Sequence, residues 1–222
     1  MENENMTHLK NQRFWNRVAE RYAARPLKNV PAYEAMLADV AARLKDTDNV
    51  LEIGCGTGGT AIRLAPRVAQ WTATDFSTAM VEIAKAKPSD GNVVFRVSDA
   101  SSAFDGGPFD VVCAFNVLHL VDDLPELLGR IHAHVPPGGK LISKTWCFAD
   151  MKLSLRMLFT TLRVFGLFPA VASLSEVQLR KAILDAGFEI VDERRFGDRR
   201  QNPYIVAIKP ARSAARADFP SD

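Results

Sequence analysis

The sequence predicts an α/β fold, a mostly parallel β-sheet with helices on both faces. Three observations carry this expectation. Short apolar runs alternate along the chain with segments of helical periodicity, the order that builds parallel sheets through crossover connections. One run, Phe109–Phe115, is apolar at nearly every position, as befits a strand covered on both faces. The last two strand signals, Phe188–Arg194 and Tyr204–Lys209, are joined by a short polar segment containing Gly197. That connection has no room for a crossover helix, so the two strands form an antiparallel pair.

The elements follow in order. Two helical stretches, 8–25 with Phe14, Trp15, Val18 and Tyr22 at helical spacing and 31–45 after Pro31, precede the first strand. They either close the core or form a lid over a ligand mouth, and residues 1–45 are read as a helical lid. The first strand is Asn49–Ile53, followed by a helix through Ala61, Leu64 and Ala65. A strand near Trp71–Asp75 leads to a helix capped by Ser77 and stopped by Pro88. Val93–Ser98 is the third strand and Phe109–Phe115 the fourth; a helix over 124–134 then reaches the turn Pro136-Pro137-Gly138-Gly139 and the fifth strand, Lys140–Trp146. Ser175-Glu176-Val177-Gln178 has capping-box spacing and opens a helix that closes at Gly187. Residues 46–210 thus read as one domain with a helical insertion at about 151–172, and 211–222 as a flexible tail.

Bulk properties bound the function. A chain of 222 residues buries a core without disulfides or metals. Its 47% hydrophobic and 24% charged content is that of a globular enzyme. A net charge of +2 supplies no field for nucleic acid, and Arg194, Arg195, Arg199 and Arg200 read as a solvated face near a strand end. Cys55, Cys113 and Cys147 lie in or beside apolar runs and read as buried thiols of a reducing compartment, not as a disulfide or zinc framework. The N-terminus MENENMTHLK lacks an apolar signal core, and no apolar run is long enough to span a bilayer. The expectation is a cytoplasmic protein, monomer or homodimer, with at most peripheral membrane contact.

The strongest local signal is Leu51-Glu52-Ile53-Gly54-Cys55-Gly56-Thr57-Gly58-Gly59. Glycines between a strand and a helix let the backbone turn tightly and leave no Cβ where a ligand approaches; the helix start then offers N–H groups to an anion. Gly54, Gly56 and Gly59 also satisfy G-x-G-x-x-G, so the loop alone fits a dinucleotide site as well. Asp75 ends the second strand, where a carboxylate accepts from ribose hydroxyls. Asp99 and Ala100 follow the third, placed to read an adenine edge. Ligands of open α/β sheets bind at the carboxyl ends of the strands, so these signals converge.

With those residues in register, the chain resembles class I S-adenosylmethionine-dependent methyltransferases over roughly residues 10–208. The resemblance rests on Glu52-Ile53-Gly54-Cys55-Gly56-Thr57-Gly58, Asp75, Asp99-Ala100, Phe109-Asp110-Val111-Val112 and Pro137-Gly138-Gly139-Lys140-Leu141. The segment Phe14–Tyr22 is similar to the start of the ubiquinone/menaquinone-biosynthesis type of small-molecule methyltransferase. The resemblance implies a Rossmann-like seven-stranded sheet of order 3-2-1-4-5-7-6 with strand 7 antiparallel. It implies that Gly54, Gly56 and Gly58 border the methionine part of the cofactor, with Glu52 bracing the loop beneath. It assigns the ribose to Asp75, adenine packing to Phe76, the adenine edge to Asp99 and Ala100, the sulfonium region to Asn116 and Val117, and closure over the methionine end to Tyr22.

The product would be S-adenosylhomocysteine, and the acceptor a small, hydrophobic or aromatic molecule. The donor is already activated, so the protein mainly orients the acceptor and excludes water, and a base is needed only if the acceptor loses a proton. His119, four residues past the fourth strand, is the candidate base, against the plainer reading that it shapes the pocket. His132 and His134 lie two apart on a helix and receive no role. The insertion, 151–168, carries ten apolar residues from Leu153 to Phe168, set among the basic Lys152, Arg156 and Arg163. It reads as a buried helix, as an apolar wall of the acceptor pocket, or as a membrane-touching surface.

Rival functions fit less. A nicotinamide dehydrogenase leaves Asp99 and the antiparallel final strand unexplained. A nucleic-acid base methyltransferase calls for a polar-Pro-Pro-aromatic loop where this chain has Asn116-Val117-Leu118-His119. No metal is implied, since Asn116 departs from the acidic ligands of catechol-type enzymes. A binding scaffold without turnover stays open.

Overall fold

The computed structural model describes residues 2–89 and 91–211, with side chains from residue 9 onward. Seven strands, β1 (Asn49–Ile53), β2 (Gln70–Asp75), β3 (Val93–Val97), β4 (Val111–Phe115), β5 (Lys140–Lys144), β6 (Glu189–Arg194) and β7 (Tyr204–Ile208), form one sheet. The helices are α1 (Glu2–Ala23), α2 (Val30–Ala41), α3 (Gly59–Leu64), α4 (Thr78–Lys85), α5 (Leu124–His134), α6 (Leu153–Val164) and α7 (Glu176–Asp185). Sheet order is β3-β2-β1-β4-β5-β7-β6. β7 runs antiparallel to both β5 and β6, as the order implied by the resemblance requires.

Local chemistry sets the helix ends. The Ser77 hydroxyl accepts from the Met80 N–H at 3.2 Å and starts α4. Asp123 caps α5 by accepting from the Glu126 N–H at 2.8 Å, and Ser175 and Gln178 close the capping box of α7. Gly187, at φ +93°, ends that last helical segment in the left-handed region. Three strands stop earlier than the sequence suggests: β5 ends at Lys144, β3 at Val97 and β7 at Ile208. The second helix also ends early, at Ala41.

Alternation along the central strands divides the core. Leu51, Ile53, Val112 and Leu141 face α5 and α7, meeting Leu127, Leu128, Ile131, Leu179 and Ile183. Val50, Val111, Cys113 and Ile142 face the other side, meeting Met36, Leu37 and Val40 of α2, Ala61 and Leu64 of α3, and Val81 and Ala84 of α4. Burying a side chain such as Leu128, with no exposed surface, contributes about 2 kcal/mol. The three cysteines are buried and unbridged.

The insertion corrects the buried-helix reading. No residue of α6 is buried, and Leu153, Met157, Leu158 and Phe165 are 68, 63, 50 and 72% exposed. The segment lies beyond the sheet, whose faces other helices already cover. The arginine cluster is a paired surface: Arg194 bridges Asp39 at 2.7 Å and Asp192 at 2.9 Å, Arg195 bridges Glu176 at 2.6 Å, and Arg199 lies over the Trp146 ring at 4.9 Å. Among the described residues, no helix is long and apolar enough to cross a membrane. The expected tail, from residue 212 on, lies outside the described residues.

Candidate functional site

The C-terminal ends of β1, β2, β4 and β5, and the turn after β3, open onto a cleft of about 1250 Å³. Its floor is the glycine loop, where Gly54, Gly56 and Gly58 have φ of +70°, +54° and +75°. The three positions serve different purposes. A Cβ on Gly54 would lie 2.5 Å from a Val117 methyl, and one on Gly58 would lie 2.8 Å from the Phe95 ring. A Cβ on Gly56 would meet nothing within 4 Å, so that glycine leaves open space where the loop borders the cleft.

Asp75 has a role that spacing did not reveal. One carboxylate oxygen accepts from the Ser77 N–H at 2.8 Å and the other from the Gly56 N–H at 2.9 Å. The carboxylate therefore ties the end of β2 to the glycine loop, and each oxygen keeps a further lone pair for a ligand. Burial raises its pKa, while the two N–H bonds pull it down. No local sequence signal marks this brace, because it depends on the parallel pairing of β1 with β2.

Glu52 is the other buried acid of the floor, 2% exposed. Alternation puts it on the α2–α3 side of β1, between Ala73 and Cys113 in the register. The Trp71 indole N–H donates to it at 3.1 Å. Burial drives its pKa up to about 8, with the Asp75 charge adding to the rise, so Glu52 is mostly protonated at neutral pH.

Phe76, Asp99 and Ala100 border the cleft together. Asp99 also caps the 3-10 turn 100–102, accepting from the Ser101 N–H at 2.8 Å and its hydroxyl at 2.7 Å. Asn116 stands at φ +56°, an uncommon conformation for a residue with a side chain, and its N–H donates to the Lys144 carbonyl at 2.6 Å. Val117 lies against Gly54, and Tyr22, edge-on to Trp15 at 5.9 Å, lines the mouth.

His119 does not line the cleft with these residues. Its ring is 6% exposed, sits 5.4 Å from the Phe148 ring, and leaves Nδ1 without a partner among the described residues. Burial lowers its pKa to about 4, making it a neutral imidazole at pH 7 and a weaker base than free histidine. Beyond it lies an aromatic cluster in which Phe148 meets Phe159 at 5.8 Å and Phe168 at 5.9 Å.

Helix α1 connects that cluster's end of the molecule to the cleft. Asn16 accepts from the Ser77 hydroxyl at 2.7 Å and Gln12 donates to the Phe76 carbonyl at 2.8 Å. On the other side Asn11 exchanges two bonds with the Ala170 backbone, at 2.8 and 3.2 Å, and Arg17 donates to the Gly166 carbonyl at 2.6 Å. These polar positions were missed because the helix was read from its apolar residues alone.

The model of a family described as a methyltransferase domain matches residues 16–193. Highly reducing polyketide synthase ACTTS3 of Alternaria alternata is 38% identical over 186 residues, which make up 72% of this chain and 7% of that protein. The chain accordingly spans only 3 to 7% of the length of the curated relatives it matches. Among solved structures, an S-adenosylmethionine-dependent methyltransferase from Mesorhizobium loti superposes with a TM-score of 0.67 at 18% identity, covering 81% of this chain and 98% of that one. Magnesium protoporphyrin IX methyltransferase from Synechocystis, solved with S-adenosylhomocysteine bound, gives 0.63 at 21% identity, covering 89 and 93%. At these identities the superpositions show a shared fold.

Proposed function

Because this chain belongs to the methyltransferase-domain family, we propose that it binds S-adenosylmethionine in the cleft and methylates a small, hydrophobic or aromatic acceptor by in-line displacement, releasing S-adenosylhomocysteine. The observation that carries this reading is the convergence on one cleft of an open Gly56, the Asp75 carboxylate and the Asp99–Ala100 turn. The bound cofactor supplies an activated methyl group on a sulfonium.

The chain's own residues bind and orient. Gly54, Gly56 and Gly58 shape the floor for the methionine part, and Glu52 braces it from beneath. Asp75 takes the ribose hydroxyls on its remaining lone pairs, Phe76 packs on the adenine, and Asp99 with Ala100 reads its edge. Asn116 and Val117 border the reacting end, and Tyr22 covers it at the mouth. His119 enters this reading as a neutral, buried prop for Phe148, and any proton lost by the acceptor leaves to solvent. A methyl transfer of this kind draws its rate from proximity and water exclusion, which α1 and α2 supply by roofing the cleft. The buried thiols suit a reducing, cytoplasmic compartment, and the relatives' polyketide synthase names support a small-molecule acceptor.

Calorimetric titration of S-adenosylhomocysteine into wild type and Asp75→Asn tests the reading. Asparagine keeps one acceptor of the two that hold Ser77 and Gly56, so micromolar affinity is expected to fall by about tenfold or more. Binding of NAD in place of S-adenosylhomocysteine would favour a dehydrogenase instead. Cofactor affinity with no turnover on any acceptor would favour a scaffold.

A further inference from the structure

β5 ends at Lys144, which is half-buried and lines the cleft. It pairs across the sheet with Phe115, and its carbonyl holds the Asn116 N–H, so it stands at the β4–β5 end beside the residue bordering the reacting centre. Its ammonium has no hydrogen bond or ion pair with any described residue. Other cations of the cleft differ. Arg63 is held by Glu34 at 2.5 and 2.6 Å, and Arg25 and Lys28 are exposed at the mouth. Two partly buried lysines elsewhere are satisfied: Lys87 donates to the Thr57 carbonyl at 2.6 Å, and Lys209 to the His132 and Val135 carbonyls at 2.7 and 2.8 Å.

An ammonium withdrawn from water without an acceptor is unfavourable. Burial lowers the Lys144 pKa, and no neighbouring carboxylate offsets that pull. The residue two positions earlier on the same face, Ile142, is apolar and fully buried, so an aliphatic side chain would suit the strand. A cation kept there, facing open space, lacks a counterion that a ligand can bring.

We propose that Lys144 anchors an anionic oxygen of the methyl acceptor, a carboxylate or an ionised phenol, at the β4–β5 end of the cleft. The proposal rests on the methyltransferase reading and adds to it the acceptor's charge. A charge-assisted bond at this point fixes the acceptor beside Asn116. A neutral acceptor leaves the ammonium unpaired and is rejected, as sites built around a polar partner reject analogues lacking it. One other anion shares this chemistry, the carboxylate of the cofactor's amino-acid end, and the experiment separates the two sources.

2-Naphthoate and its neutral isostere 2-naphthamide are titrated by fluorescence into the protein saturated with S-adenosylhomocysteine, as wild type, Lys144→Met and Lys144→Arg. The wild type is expected to favour the anion by about tenfold or more, Lys144→Met to lose the preference, and Lys144→Arg to keep most of it. Equal affinities in the wild type, or a preference that persists in Lys144→Met, overturn the proposal. S-adenosylhomocysteine and 5′-methylthioadenosine, which lacks the carboxylate, are titrated into the same proteins. If Lys144→Met weakens only the former, the lysine holds the cofactor's carboxylate and the acceptor assignment falls. If the wild type binds neither nucleoside, the methyltransferase reading itself fails, a result distinct from the others.

Discussion

Replacing Glu52 by glutamine isolates the buried acid of the cleft floor. The folded protein holds this carboxyl protonated up to a pKa of about 8, whereas the unfolded chain ionises it near the ordinary glutamate value of 4.5. Between those values the native state binds one proton more than the unfolded state, so stability falls as pH rises, by about 1.4 kcal/mol per pH unit. Over the whole window the loss approaches about 5 kcal/mol, a large share of a domain's stability. Glutamine keeps an oxygen for the Trp71 N–H, now at 3.1 Å from the glutamate, and removes the titration. Urea denaturation of the cofactor-free protein between pH 5 and 9 measures the effect. The stability difference, Glu52→Gln minus wild type, is expected to grow through this window and level off above pH 8. Other titrating groups cancel in the difference. Parallel pH dependences would refute the assignment of a neutral carboxyl at Glu52.

Two further perturbations separate backbone from side-chain causes. Gly54→Ala puts a Cβ at φ +70° and 2.5 Å from Val117, and is expected to cost about 2 kcal/mol or more and to abolish S-adenosylhomocysteine binding; retention of both stability and affinity would refute the packing argument. Gly129→Ala, on the exposed side of α5 with nothing within 4 Å, is the control and is expected to stabilise by about 0.5–1 kcal/mol. For His119 the sign is opposite to that of Glu52. Its folded pKa of about 4 lies below the ordinary histidine value of 6.5, so the unfolded state binds the extra proton. Stability is complete above pH 6.5 and declines toward pH 4, by about 3 kcal/mol, a decline that His119→Leu is expected to lack in acid titrations of urea midpoints.

The order of strands and helices was legible from residues close together in the chain. Ser77 and Ser175 announce helix starts because a cap needs only the next three residues, and the short Gly197 segment allows nothing but an antiparallel return. The glycine loop, Asp75 and Asp99 were legible as a group because strand ends of a parallel sheet open on the same side. What the tertiary structure decided is which groups each of these side chains meets. Asp75 braces Gly56 through the pairing of β1 with β2, His119 turns to Phe148, and Lys144 is left without a partner. The apolar residues of 151–168 suggested burial, yet the faces of the sheet were already occupied by α2, α3, α4, α5 and α7. Periodicity and capping are local properties and are written in the sequence. Burial, pKa and the satisfaction of a polar group are set by distant neighbours, and those are supplied only when the sheet assembles.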